Sequence, residues 1–531
     1  MEIEPSLQSK LNNSLAVVNG SVQVTKLKHR IGLVYLPGAL PCFETFGDLP
    51  TDVIGKNGLV GGKPASEVLE MMIIPGGSLV ESQSVKDGIE KEILKMADAS
   101  KFVLGICSGF QILSRGTDIG RLSPKPIFRE GMGLLDVEFK PMICTDQVKG
   151  KVVGSSLLTD EVGAEVAGFH CHTYGDITLY EKAKPIIVSS VKRLNYFRNQ
   201  RDIVSGVCNS AGNVVGVMTH ALLDKNPAII KGITKSLDIS PSELAKIREA
   251  NIKLKQKMKL ELGISTGIRP QSKTINKETR PRTLLITALE SGGGKTVIVT
   301  GLAGALKKRG WNVDVVKVGG DIRDIVPALY VIKKPMQSYS SIEVADTGWQ
   351  SIPKVIKGAE KDNDFVLVEG AMNAFTGLLL DKHRRPNSTV EVAAALGSPT
   401  VIVVGCDKEG IEGGIVSALN YVRFLKKLGI KTVGVILNKV YLNYMSNETR
   451  AVVNQAFERA GVEVLGILPV SDLEGRGAIP EVEIKYEEFT MKAIELIEQN
   501  VNIDKVVEAA TPFAMTDLNY ETFLTKFKDA L

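Results

Sequence analysis

Residues 283–296 read TLLITALESGGGKT, and this stretch decides the fold of the second half of the chain. Thr283 to Leu289 is an apolar run of strand length; Glu290-Ser291-Gly292-Gly293-Gly294-Lys295-Thr296 follows, and VIVTGLAGALKKRG continues with a helical pattern. A strand, a glycine loop, Lys-Thr and a helix together make an anion cradle. Glycines let backbone N–H groups approach phosphate, Lys295 neutralises the β and γ oxygens, and Thr296 can ligate magnesium, with the helix N-terminus adding a favourable field. The expectation is ATP and Mg2+ held by Gly292, Gly293, Gly294, Lys295 and Thr296. A strict phosphate-loop pattern has glycine where this chain has Leu289, so the loop is a variant.

Downstream, NVDVVKV, FVLVEG, TVIVVG and TVGVILNKV are continuous apolar runs of the kind that form parallel strands buried on both faces. Asp321 and Glu369 follow two of these runs. At the carboxyl ends of parallel strands they face the nucleotide crevice, which makes them candidate metal ligands beside Thr296. This P-loop domain is expected over 283–482, and two helical patterns in 483–531 form a tail in which no chemistry is legible. Upstream, Ser240-Pro241-Ser242-Glu243 reads as a capped start to a charged helix, and STGIRPQSKTINKETRPRT as a polar linker, together spanning 236–282.

The first domain, 28–235, alternates short β-rich runs (IGLVYL, MMIIP, FVLGIC, PIIVSSV, NVVGVM) with polar or helical stretches. Within it, Phe102-Val103-Leu104-Gly105-Ile106-Cys107-Ser108-Gly109-Phe110-Gln111 runs from strand through a cysteine to a helix start. Small residues around Cys107 permit a sharp turn that exposes a thiol, and the helix N-terminus favours thiolate. A buried cysteine can also be a small core residue, but the flanking Gly105 and Gly109 point to a nucleophile. Its base must be one of the five histidines, His29, His170, His172, His220 and His383.

These motifs resemble a known family. KVGGD, VEGAMNAFTG, STVEVAAALGSPTVIVVG and GVILNKV, in that order after the P-loop, are similar to the synthetase domain of cobyrinate a,c-diamide synthases, cobyric acid synthases and dethiobiotin synthetase. Ile74-Pro75-Gly76-Gly77 and the Cys107 elbow resemble class I glutamine amidotransferases. The resemblance implies an α/β fold class throughout: a flavodoxin-like glutaminase domain first and a mainly parallel P-loop domain second. It implies that Gly77 and Ser108 supply oxyanion N–H groups, that His220 is the base, that Glu369 binds metal and that Asn438 reads adenine. Most class I enzymes carry glutamate two residues after the histidine; here the run is His220-Ala221-Leu222, and a Cys-His dyad is the expectation. Gly168-Phe169-His170-Cys171-His172 stands near the family's Gly-Tyr-Glu-Ile-His segment. Neither His170 nor His172 has further ligands at zinc spacing, so both are read as lining the site or satisfying local hydrogen bonds.

The implied activity is ATP-dependent amidation of carboxylates with L-glutamine as nitrogen donor, the acceptor being a corrinoid-like polycarboxylate. Gly320-Asp321-Ile322-Arg323-Asp324-Ile325, Asn373 and Thr376 depart from the family near its acceptor. They motivate two alternatives: the same chemistry on another tetrapyrrole such as nickel sirohydrochlorin or on an unrelated polycarboxylate, or a non-catalytic ATP-binding regulator. The family places its synthetase domain first. The reversed order here leads to the expectation that the domains meet through the helix at 240–262 or between subunits of a homodimer.

Bulk properties exclude little but agree. A net charge of +5 spread over 65 basic and 60 acidic side chains gives no argument for nucleic acid or membrane partners. No window reaches the roughly 18 apolar residues of a membrane span and no leader pattern opens the chain, so a cytoplasmic location is expected. Six scattered cysteines match neither a disulfide scaffold nor a paired zinc motif.

Overall fold

The computed structural model describes residues 27–36, 39, 44–260, 280–380, 385–471 and 484–531. Cys42, His383 and most of the expected linker lie outside the described residues.

The largest sheet of the first half has nine strands and is mixed. Its strands are β1 (Ile31–Val34), β2 (Asp52–Ile54), β3 (Met71–Ile74), β4 (Phe102–Ile106), β5 (Gln147–Val152), β6 (Glu165–Phe169), β7 (Lys184–Leu194), β8 (Phe197–Cys208) and β9 (Val214–Val217), in the order β6-β5-β7-β8-β9-β4-β3-β1-β2. β1, β3 and β9 are buried at every position and β4 at all but its first, as parallel strands covered on both faces must be. β5 and β7 pair antiparallel and alternate between core and solvent, the pattern of a half-covered sheet. Helices α1 (Leu79–Asp98) and α2 (Ser108–Leu113) follow the two central strands β3 and β4, so the turns that start them lie side by side at the carboxyl edge.

Helix α3 (Pro241–Leu260) does not bridge the two halves. It docks on the outer edge of the first domain, where Glu243 accepts the Lys28 backbone N–H at 2.7 Å, Asn251 donates to the Pro50 carbonyl at 2.8 Å and Lys255 pairs with Asp48. The charged face is solvated while Ile247 and Asn251 are buried.

The second half has strands β10 (Arg282–Ala288), β11 (Val313–Val318), β12 (Ser341–Ile342), β13 (Phe365–Glu369), β14 (Thr400–Gly405), β15 (Thr432–Val440) and β16 (Glu463–Pro469), all parallel in the order β12-β11-β13-β10-β14-β15-β16. A short β17 (Thr511–Pro512) pairs antiparallel with β10. Helix α4 (Lys295–Lys308) rises from the P-loop, and α5 (Val326–Ile332) packs beside it. The segment read as a tail belongs to this domain: α6 (Tyr486–Asn500) lies against α4 so closely that a Cβ on Gly301 would come within 2.4 Å of the Ala493 carbonyl. Helix α7 (Tyr520–Ala530) buries Phe523 and Phe527 in the same domain.

The two halves meet directly within one chain. Phe169, Cys171 and Ala221 of the first half join the apolar cluster that surrounds α4, α5 and α6. Trp349 donates its indole N–H to the Thr145 carbonyl at 2.8 Å, the Tyr486 N–H donates to Glu81 at 2.9 Å, and Arg323 donates to the Thr173 hydroxyl at 2.7 Å. The contact expected of the helix at 240–262 or of a second subunit is therefore made by these residues. The turns after β3 and β4, at the carboxyl edge of the first sheet, line one cavity with Arg323, Val326 and Tyr486 of the second half.

Candidate functional site

Cys107 sits at the turn between β4 and α2 with φ +51 and ψ −109, a left-handed conformation unusual for a residue with a side chain. The turn holds because its neighbours lack side chains. A Cβ on Gly109 would fall 2.2 Å from the Ile74 carbonyl, and one on Gly105 would fall 2.6 Å from the Gly109 carbonyl. Gly76, in the loop after β3, is pressed against the site itself: its Cβ would lie 2.5 Å from His220 Cε1 and 3.1 Å from Cys107 Cβ. The structure thus brings Cys107 and His220 to one point, as the sequence reading required. Gly77 and Ser108 line the same cavity as Cys107, and Ser108 is fixed by a 2.6 Å hydrogen bond from Ser82.

Cys107 is only 6% exposed, and burial pushes its thiol up to about 12, against the opposing effect of the Ser108 N–H; the nearby Glu44 raises it further. The thiolate expected from the helix N-terminus is therefore not the resting form. Burial, with the neighbouring His172, depresses His220 to about 3, so its imidazole rests neutral and able to accept a proton.

Sequence reasoning missed the partner of His220. Glu44 is 1% exposed and places Oε1 3.2 Å from His220 Nδ1. Burial and the charge of Asp224 hold the Glu44 carboxyl well above the ordinary carboxylate range, opposed by the Ala221 backbone N–H. Asp224 in turn accepts the Thr45 N–H and Gly47 N–H, each at 2.7 Å, which pins the loop that carries Glu44. The dyad expectation is corrected to a Cys107-His220-Glu44 arrangement whose acid comes from 176 residues upstream instead of two residues downstream. No motif in the PCFET segment announces it. Phe169 stacks on His220 with centroids 5.4 Å apart, and Trp349 of the second domain packs on Phe169 at 5.3 Å.

The cavity is completed from the other half of the chain. Arg323, Val326 and Tyr486 line it together with Cys107 and His172. Arg323 is held in place by two 2.7 Å hydrogen bonds to the Asp321 carboxylate and donates to Tyr196 at 2.6 Å. Asp321 is thus tied to the domain contact through Arg323. Lys317 Nζ lies 2.6 Å from Asp324 and 3.3 Å from Glu369. Burial works against the Lys317 ammonium, but those two carboxylates outweigh it and hold the group charged.

At the P-loop, Gly292 and Gly294 adopt φ +80 and +99, conformations that favour glycine, whereas Gly293 does not. Lys295 Nζ donates to the Met372 carbonyl at 2.6 Å; burial, followed by repulsion from Lys317, lowers it to about 8. Thr296 donates to Glu369 Oε1 at 3.0 Å. Glu369 Oε2 is buried with no hydrogen-bond partner among the described residues. A hydroxyl and a carboxylate with an unsatisfied buried oxygen at the end of a P-loop fit Mg2+. Asn438 donates to the Gly293 carbonyl at 2.9 Å, bracing the loop from β15.

Residues 55–228 match the CobB/CobQ-like glutamine amidotransferase domain and residues 282–475 match an AAA domain. This chain joins a CobB/CobQ-like amidotransferase domain to an AAA domain. It is 30% identical to the cobyrinate a,c-diamide synthase of Streptococcus sanguinis over 237 residues, 43% of this chain and 49% of that one. It is 33% identical to the hydrogenobyrinate a,c-diamide synthase of Mycobacterium tuberculosis over 192 residues, 36% and 40% of the two chains. The cobyric acid synthase of Dehalococcoides mccartyi is 27% identical over 208 residues, 37% and 38% of the two. The chain spans half or less of the length of these curated relatives. Among the described residues no helix is long and apolar enough to cross a membrane.

Proposed function

We propose that this protein is a glutamine-hydrolysing, ATP-dependent amidoligase that converts carboxylates of a corrinoid-like polycarboxylate to amides, as the names of its relatives imply. The observation that carries the reading is the shared cavity: the wall opposite Cys107 is built by Arg323, Val326 and Tyr486 of the nucleotide domain.

In the first half-reaction the Cys107 sulfur attacks the glutamine amide carbon while its proton passes to His220 Nε2. Glu44 stabilises the resulting imidazolium from the Nδ1 side, and the Gly77 and Ser108 N–H groups face the developing oxyanion. His220 returns the proton to the leaving ammonia, and water then releases glutamate. In the second, a substrate carboxylate takes the ATP γ-phosphoryl group and ammonia displaces phosphate to give the amide, so catalysis consists largely of positioning and charge neutralisation. Lys295 faces the phosphates, and Thr296 and Glu369 would hold Mg2+, with Asp324 beside them. The ion neutralises phosphate charge when bound. We place the protein in the cytoplasm, and assign the acceptor to the corrinoid class over nickel sirohydrochlorin because the named relatives are corrin enzymes.

The test is an ATP- and glutamine-dependent assay across corrinoid and sirohydrochlorin acids with mass detection. Cys107→Ala is expected to work with free ammonium and to fail with glutamine. Persistent glutamine use by that variant would remove Cys107 as nucleophile, and amidation of none of the acids by the unaltered protein would remove the acceptor class.

A further inference from the structure

Beyond these two half-reactions, we propose that Cys144, His170 and His172 form a zinc site built into the wall of the glutaminase cavity. One ligand atom from each residue lies within 4.8 Å of the other two, and all three residues are buried. Motif spacing in the sequence offers no further ligand beside the two histidines. The fold supplies Cys144 through backbone pairing, since Cys144 and His172 exchange two 3.0 Å N–H to carbonyl hydrogen bonds across an antiparallel bridge. His170 and His172 lie two apart in extended chain and so project to one side, with Cys171 turned to the other.

The His172 imidazole is already oriented for a metal. His172 Nδ1 faces the Met142 carbonyl at 3.1 Å, and since a carbonyl only accepts, Nδ1 carries the hydrogen and Nε2 presents its lone pair to the cluster. His170 presents Nδ1, 3.0 Å from His172 Nε2, while its Nε2 faces the hydroxyls of Ser189 at 3.2 Å and Thr219 at 3.3 Å. Outer hydrogen-bond acceptors of this kind fix the tautomer of ligating histidines. Nitrogen and sulfur donors around tetrahedral zinc stand about 3.3–3.8 Å apart, given bonds of about 2.0–2.3 Å. The two rings therefore need to part by only a few tenths of an ångström. On binding, the Cys144 thiol releases one proton, and the His170 hydrogen moves from Nδ1 to Nε2. A thiolate with two imidazoles selects zinc over magnesium or calcium, and three protein ligands leave the fourth position to water.

The site's position gives it a consequence. His172 lines the cavity, and the Cys171 carbonyl between the two histidines lies 3.9 Å from the Cys107 sulfur. The metal would clamp this wall to the Cys144 segment and act as a positioning element for the nucleophile.

The test uses the full-length protein, stripped with a chelator and titrated with Co2+ as a spectroscopic stand-in. Expected are one equivalent bound, tetrahedral d–d absorption, a thiolate-to-cobalt charge-transfer band, and displacement of both by Zn2+ but not by Mg2+. Cys144→Ser should abolish the charge-transfer band, His170→Gln should weaken binding more than 100-fold, and Cys171→Ser should leave the spectrum unchanged. Absence of the band in the unaltered protein, or its survival in Cys144→Ser, would overturn the proposal. The titration of unaltered protein decides the matter even if a variant misfolds, and it does not depend on whether the amidoligase reading holds.

Discussion

Replacing Glu44 by glutamine removes a charge while keeping shape, and its effect can be worked from the geometry. Depressing the His220 imidazole from 6.5 to about 3 corresponds to about 5 kcal/mol against forming imidazolium in this cavity. Proton transfer from Cys107 requires that imidazolium. An ionised carboxylate 3.2 Å from Nδ1, with charge centres about 4 Å apart at an effective dielectric of about 20, returns about 4 kcal/mol. The two magnitudes nearly cancel, so the carboxylate decides whether His220 can act as a base. Glu44→Gln should therefore lower glutamine-dependent kcat/KM by about 10³-fold, each factor of ten being about 1.4 kcal/mol. Ammonium-dependent amidation should stay within twofold. The pH profile gives a second readout. Burial, with the Asp224 charge, raises the Glu44 carboxyl, so the form that supports catalysis is lost on acidification at a pH above the ordinary carboxylate range. That acid limb should vanish in Glu44→Gln. Steady-state amidation assays with glutamine and with ammonium across pH make the comparison. A variant within fivefold of the unaltered protein, with the acid limb retained, would refute the role assigned to Glu44.

Three further outcomes follow from particular contacts. Arg323→Ala removes the donor to Thr173 and Tyr196 and opens the cavity wall, so glutamate released per amide formed should rise above one, measured by paired product analysis. Gly109→Ala forces a methyl to 2.2 Å from the Ile74 carbonyl; a destabilisation of about 3 kcal/mol and a lowered Tm in calorimetry are expected. Gly294→Ala meets both a left-handed φ and the Asn438 amide at 2.1 Å, and should lose ATP binding by at least tenfold in calorimetric titration while glutaminase activity with ATP absent is unchanged.

Local chemistry wrote much of this protein into its sequence. The P-loop, the nucleophile elbow and the parallel strands are each specified by neighbours a few residues apart: Gly292 and Gly294 for their φ angles, Gly105 and Gly109 for close backbone approach, and the continuous apolar runs for strands covered on both faces. Such features survive in a linear reading because their causes are short-range. Glu44 against His220, Cys144 against His172, Lys317 between Asp324 and Glu369, and the Arg323 wall of the Cys107 cavity were decided only by the tertiary structure. Each joins groups whose partnership depends on sheet order, loop path or domain contact. A buried carboxylate or thiol has no sequence spacing to announce it, because what fixes its partner is the space left when the strands close, and that space exists only after folding.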